Sequence, residues 1–378
     1  MKVLSIIESL PPAGAEQALV NTLPALRALG VESEVAVLWP PHDLVEPLQS
    51  AGALVHQLNL SSTWSVARGV AALKSIAKAG AFDVIHAHLP MAVFYAVAAR
   101  TRIPVVATFH GLSFQLYPAT TLLKKIRRQA ERYWTNHGVH AYIAVSTAVA
   151  DHYHEVLGIP REKIKIIPNG FPVDRLSRDV TLNLAAVRSQ YGVEPGEFLI
   201  THAGRLIPQK GHIHLLNAVL ELRNRGMKPR VLLFGQGPLQ FQLDQFIEQS
   251  QLAGQIQIRG PLAQGELFKL LQASDLFVFP SISEGFPMAP GEAMCLELPV
   301  IASNLPGITS MVEHSKSGLL VPPANPALLA EAMERLMLNR KLRATLAASG
   351  RQRILENFSI EKIAAQIFAV YTDLIDLT

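Results

Sequence analysis

The chain has one cysteine among 378 residues, Cys295, so it can form no internal disulfide and fits a reducing compartment. Cys295 sits in an apolar, helix-like context, which suits a packed thiol rather than a reactive one. Charge is sparse, at 17% of residues against 49% hydrophobic, and this excludes extensive disorder. Long apolar runs are missing too. The best candidate, Met91 to Phe109, is broken by Arg100, Arg102 and Pro104, which leaves nothing of the ~18 residues a membrane helix needs. At the start, Met1-Lys-Val-Leu-Ser-Ile-Ile meets Glu8 too soon for a secretion signal and reads as a first strand. A cytoplasmic protein, soluble or peripheral, is expected. The net charge of +4 arises in one place, where Lys124, Lys125, Arg127, Arg128 and Arg132 face Glu131 alone. The remainder is balanced, so there is no general basic footprint for nucleic acid. No metal site is expected. His86 and His88 are expected on opposite sides of a strand, and no other His, Cys or Asp cluster occurs.

This length allows two domains, each with its own core. Apolar runs at Val3–Ile7, Glu34–Leu38, Val84–Ala87, Val105–Phe109, Tyr142–Val145 and Ile164–Ile167 alternate with helical patterns such as Glu16–Leu29, Val66–Ala79 and Ala92–Ala99. That alternation implies parallel strands joined by right-handed crossovers. The pattern pauses after Pro168-Asn-Gly-Phe-Pro172, and residues 173–196 are polar enough for a linker with a short helix. A second series follows: Phe198–Ala203, Arg230–Phe234, Ile256–Arg259, Leu276–Phe279 and Pro299–Ala302. The expected domains are therefore 1–172 and 197–359, α/β units each with a doubly wound parallel sheet.

Chemistry-bearing residues cluster where strands end. After Asp275-Leu-Phe-Val-Phe-Pro280 comes Glu284-Gly-Phe-Pro-Met-Ala-Pro-Gly-Glu292, two carboxylates separated by two prolines and two glycines. This composition predicts an irregular loop carrying Glu284 and a helix opening near Glu292. Alone, the pair reads equally as a loop acid plus an acid suited to a helix dipole, or as two acceptors for a hydroxyl-rich ligand. Gly204-Arg-Leu-Ile-Pro-Gln-Lys-Gly211 also follows a strand; Arg205 and Lys210 suit phosphate oxygens, although such cations are commonly solvated surface. Gly14, in Ala13-Gly-Ala-Glu16, allows a tight turn into a helix whose dipole favours anions. Gly235-Gln-Gly-Pro238 fits a plain turn equally well. His110 ends the strand Thr108-Phe-His-Gly111, where a lone histidine is more often structural.

Together these motifs resemble the retaining glycosyltransferases of family 4, which have the GT-B fold of two Rossmann-like domains. The Glu-x7-Glu spacing is that family's signature, followed here by Leu298-Pro-Val-Ile-Ala-Ser303. The resemblance covers most of the chain. It implies that segment 360–378 packs back on the first domain. It implies donor contacts from Arg205 and Lys210 to a diphosphate, from Glu292 to ribose, and from Gly14, Gly235 and Gly237 to sugar, phosphate or base. Phe286, Met288 and Ala289 keep backbone N–H groups for sugar or phosphate, which Pro287 lacks. Glu284 would support the sugar ring as positive charge develops at the anomeric carbon, and His110 would position the sugar through its ring or its carbonyl. Retention, front-face transfer and independence from metals or other cofactors are likewise implied.

The departures fall on the sugar pocket. Pro290 and Gly291 replace apolar residues, Glu297 replaces a glycine, and Asn304-Leu-Pro-Gly-Ile-Thr-Ser310 replaces a double-glycine turn. The first glycine of the turn at Gly14 is Ala13. The expected activity is hexosyl transfer from a nucleoside-diphosphate sugar to a saccharide or lipid-linked hydroxyl, in envelope or extracellular polysaccharide synthesis. Leu122, Leu123, Ile126, Ala130, Tyr133 and Trp134 recur at helical spacing among the five cations, so 122–134 is either a face for an anionic membrane or an ordinary surface helix. The alternatives are a nucleotide-sugar epimerase of related fold and a non-catalytic nucleotide-sugar-binding or membrane-docking protein. A phosphorylase would need a pyridoxal-phosphate lysine and a longer chain.

Overall fold

Every strand pairing is parallel in the structure, a computed structural model that describes residues 1–61, 65–113 and 121–376 without the side chains of 122–127 and 130. Parallel strands covered on both faces are largely apolar, and Val84–His88, Val105–Phe109, Arg230–Phe234 and Leu276–Phe279 are buried throughout.

The first unit, Met1–Pro172 with Phe358–Thr378, holds seven strands. They are β1 (Lys2–Ile7), β2 (Glu32–Val37), β3 (Leu54–Gln57), β4 (Val84–His88), β5 (Val105–Phe109), β6 (Ala141–Ala144) and β7 (Ile164–Ile166), in the order β3-β2-β1-β4-β5-β6-β7. The chain winds outward from β1, then returns to its other side at β4. This reversal makes the carboxyl ends of β1 and β4 the topological switch, where open α/β sheets bind ligands. The helix Ile360–Asp376 closes the sheet: Ile363, Val370 and Tyr371 share a core with Val3, Val84, Val106 and Ile143. The chain enters it through a bridge at Phe171 and Ser359, with Phe171 N–H donating to the Phe358 carbonyl.

The second unit, Val173–Asn357, holds β8 (Leu199–Ala203), β9 (Arg230–Phe234), β10 (Ile256–Arg259), β11 (Leu276–Phe279), β12 (Val300–Ser303) and β13 (Leu319–Val321), in the order β10-β9-β8-β11-β12-β13. Its switch lies between β8 and β11. Residues 173–196, read as linker, belong to this unit: the helix Leu184–Gln190 buries Val187, and Tyr191 and Val193 pack with Leu199, Leu232 and Phe234.

Two expectations need correction. The helix after β11 begins at Met288, four residues before Glu292, and runs to Cys295. Pro287 caps it and Pro290 stands in its first turn, where a missing N–H breaks no helical bond. His86 and His88 lie on one face of β4, with ring centroids 4.1 Å apart, because side chains two residues apart on a strand point the same way. Strands β3 and β13 were not foreseen. Leu122–Gly138 is a helix; the side chains at its expected apolar and cationic positions 122–127 and 130 lie outside the described residues. Among the described residues, no helix is long and apolar enough to cross a membrane.

Candidate active site

In the second unit the switch geometry brings two distant motifs together. Lys210 follows β8, Glu284 follows β11, and these neighbouring strands deliver a Lys210 Nζ to Glu284 Oε1 hydrogen bond of 2.7 Å. Both side chains are largely shielded, at 18% and 11% exposure. The Lys210 ammonium also lies 5.0 Å from the Phe279 ring centroid, so carboxylate and aromatic face hold it together. Gly211 adopts φ +65 just after Lys210, and a Cβ there would strike the Pro280 carbonyl. The β8 loop therefore rests on the backbone of the β11 loop, which fixes the lysine opposite its partner.

The glycines at 235 and 237 have a backbone role of the same kind. At φ +150, a Cβ on Gly235 would collide with the Gly204 carbonyl, and one on Gly237 with the Leu206 carbonyl. The Leu206 N–H donates to the Gln236 carbonyl at 2.9 Å, which joins the loop carrying Arg205 to the turn after β9. Arg205 is exposed.

Phe286 and Met288 are buried and Ala289 is half-buried. Because residues 287 and 290 are both proline, only the amides of Met288 and Ala289 remain as orphan donors in the helix's first turn. Glu292 is the fifth helical residue and 8% exposed. Burial raises its pKa to about 7, and a hydrogen bond with the Gln264 side chain offsets part of that rise. The divergent turn Asn304–Ser310 lies beneath Glu284: a Cβ on Gly307 would meet the carbonyls of Glu284 and Gly285.

Sequence reasoning missed what lies under this loop. His202 is fully buried, its Nδ1–H donating to the Val278 carbonyl at 2.9 Å, and its ring stands edge-on to His212 at 4.7 Å. Burial and then the nearby Lys210 charge lower His212 to a pKa of about 4; burial holds His202 well below the ordinary histidine value. Two neutral imidazoles thus floor the loop and add no positive charge beneath Lys210. The available signal was the strand period, which sets His202 on the face opposite Ala203.

Gly14 and His110 belong to the first unit. Gly14 is exposed and opens the helix Gly14–Ala28, after Ala13, which makes no side-chain cap. His110 follows β5 and contacts His88, Nε2 to Nδ1, at 3.1 Å. Burial lowers its pKa to about 4, with partial compensation from a hydrogen bond to Asn169. Among the described residues, no group of three His, Cys, Asp or Glu is placed to hold a metal ion.

Comparison with known proteins fits this geometry. The family model for glycosyl transferases group 1 matches residues 185–353, and that for Glycosyltransferase Family 4 matches residues 12–175. A D-inositol 3-phosphate glycosyltransferase of Rhodococcus erythropolis is 30% identical over 309 residues, covering 77% of this chain and 68% of the relative. An uncharacterized glycosyltransferase of Methanocaldococcus jannaschii is 25% identical over 352 residues, covering 89% of each chain. Among solved structures, Anabaena HepE in complex with UDP-glucose superposes with a TM-score of 0.86 at 24% identity, covering 99% of this chain and 100% of that one. The chain belongs to the glycosyltransferases of group 1, family 4, built on the GT-B fold.

Proposed function

We propose that the chain is a retaining hexosyltransferase that takes its sugar from a nucleoside diphosphate and delivers it to a hydroxyl of a saccharide or lipid-linked acceptor. The observation that carries this reading is the Lys210–Glu284 pair at the switch of the second sheet: a cation for the diphosphate bonded to a carboxylate for the sugar. Arg205 and Lys210 neutralise the diphosphate without a metal ion. The Met288 and Ala289 amides add donors at the positive end of their helix. Glu292 accepts from ribose hydroxyls, and Gly235 and Gly237 keep the phosphate loop flush with the turn beside the base. As the anomeric C–O bond to the β-phosphate breaks, Glu284 opposes the positive charge on the ring. The acceptor oxygen bonds to the anomeric carbon on the face the phosphate leaves, and its proton passes to a phosphate oxygen.

On the first unit, Gly14 is assigned to the sugar or phosphate and His110 to positioning the transferred sugar. A cytoplasmic location, with the acceptor at an anionic membrane through 122–134 and a place in envelope polysaccharide synthesis, completes the proposal. UDP-glucose is the natural first donor, since HepE, a structural neighbour, is solved in complex with it.

The test is calorimetric binding and product analysis with UDP-, GDP-, ADP- and dTDP-sugars, without added metal. Selective binding by one donor, lost in Arg205→Ala and Glu292→Ala, and transfer lost in Glu284→Gln support the reading. An epimerised sugar still attached to its nucleotide, or binding without turnover for every acceptor and water, would overturn it.

A further inference from the structure

The two central strands of the second sheet separate before they end. β8 and β11 pair only at Leu276 with Ile200 and at Phe277 with Thr201. Each then continues to Ala203 or Phe279 along its outer neighbour, β8 with β9 as far as Phe234 and β11 with β12 as far as Ala302. The same register would next set His202 opposite Val278. There the Val278 carbonyl accepts from a side chain instead, His202 Nδ1 at 2.9 Å. A carbonyl can only accept, so Nδ1 carries a proton whatever the charge of the ring. An imidazole N–H thus stands where a continued ladder would place a main-chain N–H.

The ring connects this point to the candidate site. His202 is fully buried and stacks with Phe279 at 5.7 Å and with Phe277 at 6.4 Å. Phe279 in turn holds the Lys210 ammonium 5.0 Å from its centroid. Gly204 passes so near that a Cβ there would lie 3.3 Å from His202 Nε2. Farther along, the two loops rejoin: Ile282 N–H donates to the Gln209 carbonyl at 2.8 Å, and Lys210 Nζ to Glu284 Oε1 at 2.7 Å. Lys210 and Glu284 therefore meet across an opening that starts at His202.

We propose that His202 is a positioning residue for the Lys210–Glu284 pair: its Nδ1–H replaces one rung of the ladder, ends the pairing of β8 with β11 at Thr201, and so fixes the spacing of the loops that carry cation and carboxylate. Parallel strands joined by main-chain bonds run about 4.8 Å apart. The side-chain rung lets these two diverge while the buried Val278 carbonyl keeps the partner it requires. The catalytic consequence rests on the transferase reading above; the rung does not.

Asparagine and leucine have nearly the same shape, and only asparagine offers an N–H near the Nδ1 position. Both lose the ring, so His202→Asn and His202→Leu differ in the bond alone. In histidine-¹⁵N-labelled full-length protein, the wild-type imidazole spectrum should show His202 protonated at Nδ1. Crystal structures should keep the Lys210–Glu284 bond in His202→Asn. In His202→Leu they should show the Ala203 N–H on the Val278 carbonyl and the Lys210–Glu284 bond lost. Kinetics use the UDP-, GDP-, ADP- or dTDP-sugar that the wild type turns over, hydrolysis included. His202→Leu should lower kcat about tenfold or more with little change in donor KM, and His202→Asn should recover most of that loss. Negative charge on the leaving phosphate grows as the glycosidic bond breaks, so a displaced Lys210 costs rate rather than ground-state binding. A wild-type His202 protonated only at Nε2, or Asn and Leu variants alike in structure or in kcat, would overturn the proposal. Should the Asn variant not fold, a Leu variant that keeps the Lys210–Glu284 bond overturns it and one that loses the bond supports it. A wild type that turns over none of these donors would defeat the transferase reading and leave the spectrum and the crystal structures to decide this one.

Discussion

Replacing Glu292 with glutamine should make the ligand-free protein more stable while it weakens donor binding, and the stabilisation should grow with pH. The buried carboxyl holds its proton up to about pH 7, whereas an unfolded one releases it near 4.5. Between those values the unfolded chain sheds a proton that the folded chain keeps, so stability is lost as pH rises through the window and is level above it. A gap of about 2.5 pH units at ~1.4 kcal/mol each amounts to roughly 3 kcal/mol above pH 7, most of it absent at pH 5. Glutamine carries no charge at any pH and retains an amide for the Gln264 side chain. For a unit of this size, roughly 3 kcal/mol corresponds to a Tm difference of about 6–10 °C. The assay is calorimetric melting of wild type and Glu292→Gln at pH 5, 6, 7 and 8.5 without ligand. The difference between the two proteins cancels every other titrating group. A difference that stays constant across that range would refute the reasoning, since it would mean that the carboxyl ionises in the folded protein as it does in water.

Lys210→Met should cost the second unit roughly 1–3 kcal/mol by leaving the Glu284 carboxylate without its cation, and adding Glu284→Gln should restore most of it; urea unfolding of both variants checks this. Gly235→Ala should cost more than ~3 kcal/mol, because its Cβ would enter the Gly204 carbonyl, whereas Gly254→Ala, with open space around it, should change the melting temperature little. Acid should destabilise the first unit through His86. Burial holds His86 neutral down to about pH 3, so from pH 6.5 downward the unfolded chain takes up a proton the folded one refuses, at up to ~1.4 kcal/mol per pH unit. Urea midpoints for His86→Asn should accordingly fall less steeply between pH 6.5 and 5 than those of the wild type, and parallel curves would contradict this.

The architecture was legible because buried parallel strands leave apolar runs, and the runs at β1, β8, β9 and β11 fall within a residue of the observed elements. β3 was hidden because it is an edge strand with Leu54 57% exposed, and β13 because it has three residues. The start of the helix after β11 was misplaced because its prolines suggested interruption; proline at a cap and in the first turn is compatible with a helix beginning at Met288. The candidate site divides along similar lines. Arg205, Lys210, Glu284 and Glu292 stand in contiguous motifs and could be named from them. The Lys210–Glu284 bond could not, since it joins residues 74 apart and depends on β8 lying beside β11. His88, Asn169 and Tyr371 carry no motif at all, and the expectation that His86 and His88 face opposite sides misapplied the two-residue strand period.

The return of the chain to the first sheet has a consequence for biosynthesis. Tyr371, Val370 and Ile363 are core residues of a unit whose other elements end at Pro172, so the second unit is in effect an insertion within the first. At 5–20 residues per second, the ribosome spends roughly 10–40 s between delivering β7 and delivering the helix Ile360–Asp376. By the end of that interval the second unit has all of its own sequence, while the earlier-made sheet still lacks one of the helices that cover it. The part synthesised first is therefore the part finished last.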